Sequence, residues 1–166
     1  AIVSVSDGDI AINANGTGMV TMTANSVTGD VIPGKFGGTD FSNSLLIGHS
    51  TTGTLDAASF NTGIGIVALD ALTSGDGNTA MGYSSAGKID TGSQNTSYGY
   101  QSNSQLRSGN SNTSLGYQAG RYVTGSFNTL IGHEAAESLT TGSGNIIIGE
   151  ANTDAVDSAR TLKIVS

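Results

Sequence analysis

The chain has 166 residues, a formal net charge of −7, 25 Gly, one Pro and no Cys, with 36% hydrophobic and 11% charged residues. The acidic balance argues against general affinity for nucleic acid or anionic membrane, since both reward clustered Lys and Arg, and the absence of cysteine excludes disulfides and thiolate-bound zinc. Low charge with little proline separates the chain from disordered sequences, and no apolar run approaches the roughly 20 residues of a helical membrane span, so no membrane insertion is expected.

In chain order, residues 1–37 come first, where "IVSVS", "DIAINA" and "GMVTMTA" alternate apolar and polar residues between "DGD" and "NGTG". That pattern predicts short strands with tight turns, an N-terminal β cap or neck. Residues 38–150 then repeat. Gly48, Gly65, Gly82, Gly99, Gly116, Gly132 and Gly149 stand 17 residues apart, with a single spacing of 16. Four positions earlier stand Ser44, Asn61, Asn78, Asn95, Asn112, Asn128 and Asn145, and one position earlier Ile47, Ile64, Met81, Tyr98, Leu115, Ile131 and Ile148. A second apolar column runs Leu55, Leu72, Ile89, Leu106, Val123 and Leu139, which puts the one-residue deletion just after Val123. Residues 151–166 close the chain with a loop, "ANTDAVDSA", and "RTLKIV", which reads as one last capping strand.

A 17-residue unit cannot enclose a core, so identical units must stack as rungs about 4.8 Å apart. The two apolar columns predict two short buried strands per rung in an all-β solenoid of seven roughly 17-residue repeats, of the left-handed β-roll or triple β-helix type. Thr62, Thr79, Thr96, Thr113 and Thr129, two residues before the first column, are expected to face inward with it. Inward threonines argue against ice binding, which needs a flat exposed Thr array. Stacked Asn residues can bond from rung to rung as a ladder. Gly75, Gly92, Gly109, Gly125 and Gly142, at another fixed phase, are read as corners that need positive φ. Only "GIVALDAL", residues 65–72, has the spacing for a local helix.

Each rung offers two large apolar residues worth about 1.5–3 kcal/mol apiece when buried, against roughly 1 kcal/mol or more per residue for ordering the backbone. Leu46, Ala80, Leu130 and Ile147 fall on the opposite strand face, where packing of three copies would bury them. A homotrimer is the expected assembly.

The position after each column glycine holds His49, Ile66, Tyr83, Tyr100, Tyr117, His133 and Glu150. A ladder of Tyr83, Tyr100 and Tyr117 offers faces on which the sugar rings of a glycan could lie, or it covers a corner and seals an interface between copies. His49 and His133 lie five rungs apart, about 24 Å by strand spacing, and neither has a Cys or second His at ligand spacing, so no metal or other cofactor is expected. Gly63-Ile64-Gly65 lacks the strand and helix of a dinucleotide fingerprint. Asp56 and Asp90 occupy equivalent positions two rungs apart, with Thr73 between them and Arg107 beside Asp90 on the next rung. That set reads as a solvated ion pair rather than a glycosidase dyad. Asp154 and Asp157 alone are a thin calcium set. No catalytic residue is assigned, and the chain is read as a non-enzyme.

"ALTSGDGNTAMGYSSAG" and "YVTGSFNTLIGHEA" resemble the Asn-Thr-x-Ile-Gly repeats of bacteriophage tail-fibre proteins and are similar, with a longer period, to the head repeats of trimeric autotransporter adhesins. The likeness covers residues 40–150. It implies a fibrous homotrimer in the virion, acting in host attachment as spacer or receptor-binding module. The implied partners are a host surface glycan or outer-membrane receptor and other fibre or baseplate proteins. A bacterial surface adhesin or extracellular filament subunit is the alternative. The shared motif is a folding unit and transfers no catalytic residue.

Overall fold

The computed structural model describes residues 34–36, 40–48, 52–150 and 159–165, all within one compact unit that begins at Ile32. The strands read in residues 1–31 lie outside the described residues. Eleven strands follow one another: β1 (Gly34–Phe36), β2 (Phe41–Ser42), β3 (Leu45–Ile47), β4 (Ala58–Ser59), β5 (Thr62–Ile64), β6 (Thr79–Met81), β7 (Thr96–Tyr98), β8 (Thr113–Leu115), β9 (Thr129–Ile131), β10 (Ile146–Ile148) and β11 (Leu162–Ile164). Nine of them form one sheet in the order β1-β3-β5-β6-β7-β8-β9-β10-β11. All neighbours in it are parallel except β1, which pairs antiparallel with β3 and so closes the sheet's first edge. The strand read in "RTLKIV" is β11, in parallel register with β10.

The chain is thus a β-solenoid in which each repeat is one rung. Thr62 pairs with Thr79, Thr79 with Thr96 and Thr96 with Thr113, always 17 residues on, and Thr113 pairs with Thr129, 16 on. The missing residue falls after Thr124, whose N–H and hydroxyl both reach Thr140 O. That is the corner at which the sequence spacing placed it.

The side of the strand that faces in is the reverse of the sequence expectation. The inner column is Leu46, Gly63, Ala80, Ser97, Ser114, Leu130 and Ile147, all buried. Ile47, Ile64, Met81, Tyr98, Leu115, Ile131 and Ile148 point outward, with Tyr98 and Leu115 52% and 44% exposed. The threonines share that outer face, and Thr79, Thr96 and Thr113 are exposed. Leu46, Ala80, Leu130 and Ile147 therefore fill the solenoid itself and cannot be the face that meets other copies. The second apolar column is internal, with Leu72, Ile89, Leu106, Val123 and Leu139 fully buried and Leu55 packed against the cluster that holds the first three.

The wall carrying that second column is not a strand. After each of the strands β5 to β9 the chain runs through consecutive turns in which alternate residues take positive φ: Val67 and Leu69, Ser84 and Ala86, Gln101 and Asn103, Gln118 and Gly120, Glu134 and Ala136. Residues 65–72 follow this path too, so no helix forms there. The turns still bond between rungs, with one N–H donating backward, Ser84 N to Ile66 O at 2.9 Å, and another forward, Ala86 N to Ser102 O at 2.8 Å. The wall thus satisfies its buried backbone groups without a β ladder.

Two polar ladders weld the corner that enters each strand. Asn61, Asn78, Asn95, Asn112, Asn128 and Asn145 are buried, and each Oδ1 from Asn61 to Asn128 accepts both the backbone N–H and Nδ2–H of the next Asn at 2.9–3.1 Å. Nδ2 of Asn61, Asn78, Asn95, Asn112 and Asn128 also donates forward, to the carbonyls of Gly75, Gly92, Gly109, Gly125 and Gly142. Two positions before the Asn a second ladder runs the other way. Side-chain oxygens of Asp76, Ser93, Asn110, Ser126 and Ser143 accept the backbone N–H of the rung before.

The glycines of the two columns answer different needs. Gly48 through Gly149 take φ between 104° and 142°, a region that side chains exclude. The Gly75-to-Gly142 column has no positive φ; there a Cβ at Gly92 would press on Gly109 O and one at Gly125 on Gly142 O. Close approach, rather than an unusual torsion, fixes glycine at this second corner.

Candidate functional site

The glycine that ends each strand turns the chain sharply and throws the next side chain onto an outer corner. Because the rungs are in register, Tyr83, Tyr100, Tyr117 and His133 stack there as one ladder. Ring centroids lie 5.3, 5.3 and 5.0 Å apart and the planes differ by 14°, 7° and 7°. Each tyrosine stays 44–48% exposed, so the stack is a partly open strip of aromatic surface. The Tyr column predicted from spacing is thus formed, and it runs one ring further, into His133.

Beside this strip lies the outer sheet face. Strands β3 and β5 to β10 contain no charged residue, in a protein of net charge −7. Their outward side chains are a Thr column and an apolar column, continued at the far end by Ile146 and Ile148. Phe60 and Phe127 add exposed aromatics at 65% and 67%, both at a corner where φ is near +60°.

The carboxylates weighed as a dyad stay apart. Asp56, Thr73, Asp90 and Arg107 follow one another rung by rung, each N–H bonded to the next carbonyl at 2.8–3.1 Å. Arg107 NH1 stands 3.9 Å from Asp90 Oδ2 with its side chain 65% exposed, a solvated pair worth little. His49, Asp154 and Asp157 lie outside the described residues.

One cluster was missed. His133, Glu134 and Glu150 bring one ligand atom each to within 4.8 Å of one another, with His133 Nδ1 3.9 Å from Glu134 Oε2. The signal was present in the sequence, since Glu150 follows His133 by 17 residues in the same column. A search for Cys and a second His passes over it, because the partners are carboxylates.

Comparison with protein-family models, with curated proteins and with solved structures finds no match.

Proposed function

We propose that this chain is a non-enzymatic segment of a phage tail fibre, acting in attachment to the host surface as spacer or receptor-binding module, and that it works as a homotrimer. The observation that carries this reading is the uncharged outer face of β3 and β5 to β10. An isolated rod would leave Tyr98, Leu115 and Ile146 against water along several rungs. Burying such a face at about 25 cal/mol per Å² favours packing copies side by side, and stacked rungs give that face the regular spacing a fibre needs. The Tyr83–Tyr100–Tyr117 strip, on a neighbouring corner, supplies the surface for a host glycan, because rings with polar tips suit sugar faces.

Light scattering of the chain at micromolar concentration tests the assembly: three times the 16.6 kDa chain mass is expected, and a stable folded monomer would sink it. Glycan binding is expected to weaken in Tyr100→Ala, the central ring, while the melting temperature changes little. A second reading, ice binding, gains support from the outward Thr column. Its neighbouring column runs Ile64, Met81, Tyr98, Leu115, too uneven for a flat lattice, and absence of thermal hysteresis would remove the idea.

A further inference from the structure

We infer that His133, Glu134 and Glu150 form a binding site for a divalent first-row transition metal, of the zinc type. The solenoid's register creates it. Gly132 and Gly149 turn two successive rungs at the same corner, so His133 and Glu150 emerge one above the other. Glu134, next to His133, sends its carboxylate to the same side.

The backbone under the cluster is fixed. Glu134 N–H donates to Tyr117 O at 2.8 Å, and Gly149 N–H to Ile131 O at 2.7 Å. The His133 ring lies flat on Tyr117, 5.0 Å away at 7°, which restrains its rotation and leaves its edge, with both nitrogens, pointing away from the stack. In one amide orientation Gln118 Nε2 donates to Gln101 Oε1 at 3.0 Å; in the swapped one Gln118 donates to Glu134 Oε1 at 3.3 Å and accepts from Arg121 Nη1 at 3.0 Å. The other carboxylate oxygen, Oε2, is the one that faces His133. Outer contacts of this kind orient metal ligands.

The donor set selects the ion. One imidazole nitrogen and two carboxylates suit zinc and its neighbours, whereas calcium and magnesium take oxygen ligands almost alone. Bonds of about 2.0–2.2 Å put tetrahedral ligands roughly 3.4 Å apart. With the His133 ring held on Tyr117, closing from 4.8 Å falls to rotation of the Glu134 and Glu150 side chains. Two glutamates side by side in an acidic protein repel each other, and a divalent cation removes that repulsion. Three protein ligands leave a fourth position open to solvent or to a donor on another molecule.

Isothermal titration of the full chain with zinc chloride is expected to give one saturable site per chain. His133→Ala and Glu150→Gln should each weaken it at least about tenfold, while His49→Ala leaves it unchanged. In the unaltered protein, zinc should shift the ring protons of His133 and not those of His49, a measurement that does not depend on any variant folding. Absence of a saturable site, binding by the His133 and Glu150 variants as tight as that of the unaltered protein, or a response at His49 alone would overturn the inference.

Discussion

Asn112 shows what a buried polar residue does in this fold. Its side chain makes four bonds, from Nδ2 to Asn95 Oδ1 and Gly125 O, and at Oδ1 from the N–H and Nδ2–H of Asn128, all at 2.9–3.0 Å. In Asn112→Ala the Asn128 N–H and the Gly125 carbonyl lose these partners at a buried corner. Each costs about 1–3 kcal/mol, so a melting temperature lower by about 10 °C is expected for a chain of this size. Asn112→Asp should not rescue it, because a carboxylate cannot donate to Gly125 O. Ligand binding measured well below the transition should survive in both variants, and lost binding without lost stability would mark the column as a contact site instead. The Asn ladder was legible in the sequence, because a polar residue in unbroken 17-residue phase has few other uses. The opposed ladder of Asp76, Ser93, Asn110, Ser126 and Ser143 was not, since its members vary in type and share only a side-chain oxygen.

At the scale of the elements, the three-residue strand explains where sequence reading went astray. A shift of one residue exchanges the two faces of a strand, and with only three residues per rung the alternation is too short to show its own phase. Large residues in unbroken phase at Ile64, Met81 and Leu115 read as internal, which puts Leu46, Ala80, Leu130 and Ile147 on the opposite face. The second wall reverses this. Fully buried Leu69, Leu72, Ile89 and Leu106 come in from the turns, and opposite them the strand side is small, from Gly63 to Ser114, while Leu46, Leu130 and Ile147 fill the two ends of the column. A Cβ on Gly63 would run into Leu46 Cδ2, which shows how little room remains. The turn wall itself was illegible because most of its alternating positive φ is carried by Val, Leu, Ala, Gln and Glu, residues that give no turn signal, and Ser84, Asn103 and Gly120 are too scattered among the rungs to form a column.

The same narrow core holds a polar layer. Asn103 Nδ2 donates to Ser97 Oγ at 2.8 Å and its Oδ1 accepts from Ser114 Oγ at 2.7 Å, all three residues being buried. This layer lies between the apolar cluster that ends at Leu106 and the one that begins at Ala119. Asn103 also sits at φ 50°, a conformation that Asn tolerates better than most residues. Asn103→Ala should therefore cost about 2–3 kcal/mol in denaturant unfolding. Ser114→Ala should cost about 1 kcal/mol less in that background than alone, because its partner is already gone. Strict additivity of the two would mean that the triad does not act as a unit.

At the scale of the whole molecule, two neighbouring leucine positions separate folding from assembly. Leu130 is fully buried between the walls, whereas Leu115, one rung away and one column over, is 44% exposed on the uncharged face. A carboxylate at position 130 would lie without a partner in an apolar cluster, so Leu130→Asp is expected to destabilise the rung by several kcal/mol and to abolish the cooperative melt. A carboxylate at position 115 costs a lone chain almost nothing, since that side of the sheet already meets water. If three copies bury this face, Leu115→Asp brings three charges together in a closed interface, and like charges so placed cost several kcal/mol. Sedimentation should then show a folded monomer with the far-ultraviolet spectrum of the parent, and high salt should restore only part of the larger species because a desolvated interface is screened little. A trimer that persists in Leu115→Asp, or a parent chain that sediments as a monomer, would move the contact to another side of the solenoid or remove it, and the fibre reading would lose its main support.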